Sequence, residues 1–424
     1  MFSRSLAICF AACLPLTAAG FRASTVRVDI TPETPQWLLG YAARQSTGVH
    51  DHIYHRVVAM DSGDAQFYLI STDVAAYAPN FYDEVAAQLQ KETGIDPKNV
   101  WWSVTHTHSA PELGPPGLAT AFLPGRYDHD WDHAYAAFVT KSLIDAVRTA
   151  RDKLEPARIA IGEGFAMANI NRRAKDENGR ISLGLNPDGP ADRQIGLIRL
   201  EKPDGSLIAV IVNYAMHGTV MGGQNQMISG DAPGVVTAYL EQKLGGTVLY
   251  VQGAAGNMAP IYSGYPSPSA GHLTEFQVLL GDKVLEALQK LGPATDAVTM
   301  STAAITVDTP RKDKLGWVDY LAAYSGTEGG RPMVKLPVRF LRINDMVAWA
   351  LPVEMFCEIA LNVRDHSPFS HTFYFGYTNG WLGYLPTAQG FQDGGYEPDT
   401  SPYTGQAEAD VNRAVIGFIQ GLRR

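Results

Sequence analysis

A run of β-forming residues, Val100-Trp101-Trp102-Ser103-Val104, leads directly into Thr105-His106-Thr107-His108-Ser109, and the chain then breaks into Pro and Gly. Just upstream, Asn80–Gly94 carries apolar residues at Phe81, Val85, Ala86 and Leu89 and ends on a glycine, the pattern of an amphipathic helix. Arg56–Met60 and Gln66–Asp73 read as a hairpin turned at Ser62-Gly63-Asp64. Strand, helix, strand is the signature of an α/β fold, which puts its chemistry in loops such as Pro111–Gly125 at strand ends. Side chains alternate along a strand, so His106 and His108 are expected to leave the sheet side by side. Such a pair either begins a metal site or is two loop-end histidines bound to backbone and water.

The rest of the chain repeats the theme. Strands are expected at Thr25–Ile30, Arg158–Ala166, Gln194–Leu200, Leu207–Tyr214, Thr247–Val251, Ala297–Val307, Val338–Ile343, Met346–Leu351 and Thr372–Thr378. Helices are expected within Trp131–Leu154, at Ala232–Leu244, at His272–Leu291 after the loop Tyr262–Gly271, near Leu315–Ser325, after Glu354, and at Gln406–Leu422. Asp231 is read as the N-cap of the second of these. No repeat or low-complexity linker interrupts the pattern. The expectation is mixed β-sheets flanked by helices in a single large α/β domain, residues 24–424.

Residues 1–23 read as an export signal: Arg4 at the positive end, an apolar Leu6–Leu16, and the small residues Thr17-Ala18-Ala19-Gly20. That predicts a periplasmic or secreted protein. Cys9 and Cys13 fall within the signal, so only Cys357 remains and no internal disulfide is possible. No other stretch is apolar for long enough to cross a membrane as a helix. A net charge of -9 without a long basic run argues against nucleic acid or an anionic membrane as the main partner. A small-molecule substrate fits better.

Several expected strand ends carry chemically useful residues: His106 and His108, His217, Glu354, and Asn379–Tyr384. Imidazoles and a carboxylate arriving on separate strands are how an open catalytic metal site is assembled. Singly, each is better explained without a metal: His217 as a core histidine, Glu354 as a carboxylate favoured at a helix start, and Tyr384 as a packed aromatic. Phe122-Leu123-Pro124 and Trp131 read as core residues that could instead bind an acyl chain. Tyr374, Phe375, Tyr377 and Trp381 could line a sugar-sized or lipid-sized pocket.

The strings themselves carry more. Gly40-Tyr41-Ala42, Gly48-Val49-His50, Thr105–Pro111, Asn169-Ile170-Asn171-Arg172, Asn213–Thr219, Ile228-Ser229-Gly230-Asp231, Leu351-Pro352-Val353-Glu354, Tyr384 and Tyr396-Glu397 occur in this order. Together they resemble the catalytic domain of the neutral/alkaline ceramidases, from about Ser24 to near the end of the chain. The resemblance implies a zinc hydrolase of N-acyl bonds with that family's fold. It implies His106, His217, Glu354 and Tyr384 as zinc ligands, and His108, Arg172 and Tyr396 as residues lining the scissile bond. In this scheme a zinc-bound water attacks, His108 carries a proton to the leaving amine, and Arg172 or Tyr396 steadies the oxyanion. Asp231 is a candidate for orienting a ligand histidine.

Two departures stand out. The family's Ser-Asn-x-Gly-Asp-x-Ser-Pro motif corresponds here to Gly253-Ala254-Ala255-Gly256-Asn257-Met258-Ala259-Pro260, so its leading serine is Gly253. A mechanism needing that hydroxyl is closed to this chain. The sequence also stops soon after Tyr396, without the immunoglobulin-like domain of larger family members, and both departures argue against ceramide itself; the resemblance still implies an N-acyl small-molecule substrate, sphingolipid-like or amino-sugar-like. A glycan or amino-sugar de-N-acylase is the nearest enzymatic alternative, and an exported binding protein with a structural or lost metal site is the non-enzymatic one. Metallo-β-lactamase-like hydrolases need Asp-His directly after the His-x-His, where this chain has Ser109-Ala110-Pro111. Barrel amidohydrolases carry their His-x-His on the first strand, whereas here it follows several strands and a helix.

Overall fold

The computed structural model describes residues 20–123, 125–263 and 272–423. The export segment expected at the N-terminus falls mostly on 1–19, and the loop expected at Tyr262–Gly271 mostly on 264–271. Both therefore lie largely outside the described residues.

Three large sheets meet around a common core. The first runs in the order Val100–Val104, Gln66–Thr72, Tyr54–Asp61, Arg22–Asp29, Glu155–Pro156. The second runs Thr247–Gln252, Leu207–Tyr214, Gln194–Glu201, Arg158–Phe165. The third runs Met300–Pro310, Arg331–Ile343, Met346–Ala350, His371–Phe375, with Ser325–Glu328 paired to Arg331–Ile343. Leu69 and Trp101 from the first sheet, Ile211 and Leu249 from the second, and Leu341 and Phe373 from the third pack into one buried cluster. The outer faces are covered by helices. Pro79–Thr93 and His133–Asp152 cover the first sheet, Asp231–Leu244 and the helical stretch 277–288 the second, and Cys357–Asp365 and Gln406–Leu422 the third. Apolar faces on both sides of a sheet need this arrangement, because each must be removed from water.

Each sheet contains one parallel pair bridged by a helix: Gln66–Thr72 with Val100–Val104, Leu207–Tyr214 with Thr247–Gln252, and Met346–Ala350 with His371–Phe375. His106 and His108, His217, and Glu354 each follow the C-terminal end of a strand from one of these pairs, the edge where α/β folds present ligand-binding loops.

The expected elements recur with shifted ends. The strand expected at Thr25–Ile30 begins at Arg22, and Phe21 and Ala23 are buried. A cut after residue 23 would take both out of the core. The hairpin Asn169–Lys175 with Ile181–Asn186 has no counterpart in the sequence reading. Its first strand, Asn169–Lys175, is polar and lacks the apolar alternation that marks a strand, whereas the second, with Ile181, Leu183 and Leu185 alternating, carried that signal and was passed over. The helix expected at His272–Leu291 is a π-helical turn, Gln277–Asp282, continued by Lys283–Leu288. Asp231 is not the N-cap but the first helical residue, at φ 54.

Candidate metal centre

The strand carrying the histidine pair ends at Val104, so alternation is not what brings the two rings together. His106 lies in the left-handed region at φ 59, a strained conformation that recurs at functional sites. Its ring and that of His108 meet edge to face, with centroids 4.8 Å apart. The loop bearing His217 is tied to this one by His108 N–H to the Gly218 carbonyl, 2.9 Å, and Gly218 N–H to the His106 carbonyl, 3.2 Å. Gly218 is required there: a Cβ would sit 2.7 Å from Thr107 Cα and 2.8 Å from the His106 carbonyl oxygen.

Hydrogen bonds set the imidazole tautomers. His106 Nδ1 lies 2.6 Å from the Ala75 carbonyl and His217 Nδ1 lies 3.0 Å from the Met258 carbonyl. A carbonyl only accepts, so each Nδ1 carries a proton, and the neutral form of either ring turns a bare Nε2 inward. Those Nε2 atoms lie 3.4 and 3.0 Å from Glu354 Oε2. His108 Nε2 lies 3.2 Å from His106 Nε2, and its own Nδ1 is buried without a hydrogen-bond partner among the described residues. The ligand-capable nitrogens of His106, His108 and His217 all fall within 4.8 Å of one another. His108, read from the sequence as standing beside a metal site, is thus as well placed as the other two to hold an ion.

Glu354 and Tyr384 are brought together by a short parallel ladder in which they pair directly. The Glu354 carboxylate is buried between the two rings. Tyr377 donates to Glu354 Oε2 at 3.2 Å and its ring lies tilted against that of His106 with centroids 4.1 Å apart, while Trp381 Nε1 donates to Oε1 at 2.8 Å. Burial, and then the neighbouring Arg172 cation, push His217 down to about 3, so its ring is neutral at ordinary pH.

Arg172 comes from the hairpin that the sequence reading missed. Its Nη2 donates to the Tyr384 hydroxyl at 3.1 Å, its Nη1 lies 3.0 Å from His217 Nε2, and its Nε donates to Glu397 at 2.9 Å. Glu397 is buried and also accepts from Arg173 at 2.7 Å. Tyr396 opens the next helical turn, with its ring 5.7 Å from that of Tyr384. Asp231 touches none of the histidines. Its carboxylate accepts from the backbone N–H groups of Val220, Met221 and Ala232, anchoring the segment that follows His217.

Tyr377, Trp381 and Glu397 support the site; sequence reasoning offered Tyr377 and Trp381 only as pocket-lining aromatics and gave Glu397 no role. The only available signal was the aromatic-rich stretch Tyr374–Trp381. Gly253 does not line the cavity, and a Cβ there would point at Ala215, 3.0–3.1 Å away.

His106, His108 and Glu354 of the cluster line a cavity together with Tyr396, Tyr384 and Trp381. Leu39, Tyr77, Leu113, Phe122 and Leu123 wall it. Phe122 and Leu123, read as core, are half-buried and face this space. Trp131 packs against the core as expected.

Fold and site together define a three-sheet α/β protein with a metal-competent histidine cluster under an apolar cavity. Residues 21–313 match the family described as neutral/alkaline non-lysosomal ceramidase, N-terminal, and the chain belongs to that family. It is 27% identical over 270 residues to the neutral ceramidase of Mycobacterium tuberculosis, covering 58% of this chain and 41% of that protein. It is likewise 27% identical over 299 residues to neutral ceramidase A of Dictyostelium discoideum, covering 66% of this chain and 41% of that one. The matched region is therefore less than half of either relative. The crystal structure of neutral ceramidase from Pseudomonas aeruginosa superposes with a TM-score of 0.78 at 19% identity, over 95% of this chain and 74% of that one. This likeness establishes the fold.

Proposed function

We propose that this chain is an exported, zinc-dependent hydrolase that cleaves the amide bond of a small N-acyl substrate. The observation that carries the reading is the pair of Nε2 lone pairs on His106 and His217 facing the Glu354 carboxylate. With each Nδ1 committed to a carbonyl, acceptors face an acceptor; Arg172 Nη1 answers part of this at His217 Nε2, and a cation between the rings and Glu354 relieves the rest. This donor set of neutral imidazoles and oxygen suits zinc. His106, His217, Glu354 and Tyr384 are the proposed ligands, with the His108 nitrogen also within reach. A zinc ion held there supplies Lewis-acid chemistry that makes water nucleophilic near neutral pH and polarises the amide carbonyl.

The remaining roles belong to side chains. In the hydrolysis, the water oxygen bonds to the carbonyl carbon, the C–N bond breaks, and the protons of water end on the leaving nitrogen. His108 faces the cavity beside His106 and is the proposed proton carrier. Burial lowers its pKa well below that of a free imidazole, and His106 and His217 lower it further, so it begins the cycle neutral. Arg172, held by Glu397, and Tyr396 are the proposed donors to the developing oxyanion. Gly253 offers no hydroxyl, so water is the nucleophile. The apolar wall that includes Phe122 and Leu123 favours an acyl chain over a sugar. Export rests on Arg4, the apolar Leu6–Leu16 and the small residues after them.

Purified protein is expected to hold about one zinc per chain and to lose N-acyl amide hydrolysis to a chelator. His106→Ala and Glu354→Gln should each empty the site. Full zinc occupancy and full turnover in either variant would refute the ligand assignment.

A further inference from the structure

Two charged side chains line the cavity away from the histidine cluster and its carboxylate: Glu112 and Arg126. Glu112 is answered by His129, whose Nε2 lies 2.9 Å away and whose ring stacks on Trp37 at 3.9 Å. Arg126 is half-buried, faces the same space, and forms no ion pair among the described residues, its charge reaching the Glu112 carboxyl only from beyond contact distance. Burial raises the phenols of Tyr127 and Tyr396, and the Arg126 guanidinium works against both rises, so its field reaches into the mouth of the site. A cation partly withdrawn from water beside an apolar wall is costly unless an anion joins it.

We infer that Arg126 receives a carboxylate of the substrate, which makes the substrate an N-acyl amino acid: acyl chain on the apolar wall, amide at the histidine cluster, carboxylate on the guanidinium. An N-acyl sphingoid base carries no anion to offer there. A planar guanidinium is suited to a carboxylate because it can donate two parallel hydrogen bonds. Arg126 and Tyr396 line the same cavity, and Tyr396 lies next to Tyr384, so the carboxylate is assigned to the amine half, close to the scissile nitrogen. Hydrolysis adds water across the C–N bond and releases a fatty carboxylate and an amino acid, its nitrogen leaving as an ammonium group.

The inference rests on the amide-hydrolase reading, and the test separates the two. The zinc-loaded wild-type protein is assayed for kcat/KM on N-dodecanoylglycine and on its uncharged twin, N-dodecanoylglycinamide. A preference for the carboxylate of roughly 10–100-fold is expected, the range of a charge-assisted hydrogen bond. Arg126→Gln should collapse that ratio towards one, and Arg126→Lys should keep part of it. Equal hydrolysis of the two amides by the wild type, or a ratio unchanged in Arg126→Gln, overturns the carboxylate assignment and leaves amide hydrolysis standing. Hydrolysis of neither amide overturns both.

Discussion

Gly218→Ala tests whether the histidine cluster depends on the close approach of two loops. The added methyl would begin 2.7 Å from Thr107 Cα and 2.8 Å from the His106 carbonyl oxygen, against at least 3.4 Å for ordinary contact. The loops must therefore part by about 0.7 Å. Both obstructing groups are backbone, so no side chain can swing aside. Parting weakens the reciprocal bonds from His108 N–H to the Gly218 carbonyl and from Gly218 N–H to the His106 carbonyl. Two such bonds at ~1 kcal/mol each, plus ~1–3 kcal/mol for overpacking, give an expected loss of about 3–5 kcal/mol. A movement of this size also exceeds the ~0.2 Å tolerance of metal–ligand distances, so zinc affinity should fall with stability. Urea unfolding and zinc competition with a chromogenic chelator read the two effects. Gly417→Ala is the control: it lies in the helix Gln406–Leu422 with nothing within 4 Å of the new methyl, and should gain up to ~1 kcal/mol. Native stability and native zinc affinity in Gly218→Ala would refute the reasoning.

Other perturbations probe separate parts of the argument. Trp381→Phe keeps the ring but removes the Nε1–H that donates to Glu354 Oε1 at 2.8 Å, and zinc affinity should fall ~10-fold by the same competition assay. Gly253→Ser should not raise turnover, because its Cβ would crowd Ala215 at 3.0–3.1 Å; a tenfold gain in kcat would contradict this. His55 is fully buried between Thr72 and the Val139 carbonyl, and burial lowers its pKa to about 4 from 6.5. Between those values the unfolded chain binds the extra proton, so His55 costs nothing above pH 6.5 and costs stability progressively as pH falls towards 4, by up to ~3 kcal/mol. His55→Gln should flatten that part of the pH–stability curve, and an unchanged slope would rule His55 out as its source.

The parts of this site that could be read from sequence were those in which a strongly apolar strand announces its own end. Val100–Val104, Leu207–Tyr214 and Met346–Ala350 are buried throughout or nearly so, and their runs of β-formers pointed directly at His106, His217 and Glu354. Arg172 was reachable only through family resemblance. Its strand is short and polar, held by the ladder to Met258–Pro260 and by Glu397, a residue 225 positions away. Tyr377 and Trp381 were visible as aromatics, but not as donors to Glu354. That role depends on Tyr377 and Asn379 adopting positive φ after the strand His371–Phe375, a turn whose side chains aim by backbone geometry rather than by periodicity. The same limit explains His106 and His108. The rings do meet, as the sequence reading expected, but not by alternation, because the strand had already ended at Val104. A left-handed residue and a paired glycine loop do the aiming, and neither has a periodic signature in the sequence. Local pattern thus shows where donors leave the sheets, while their convergence is decided by contacts between loops that are distant in the chain.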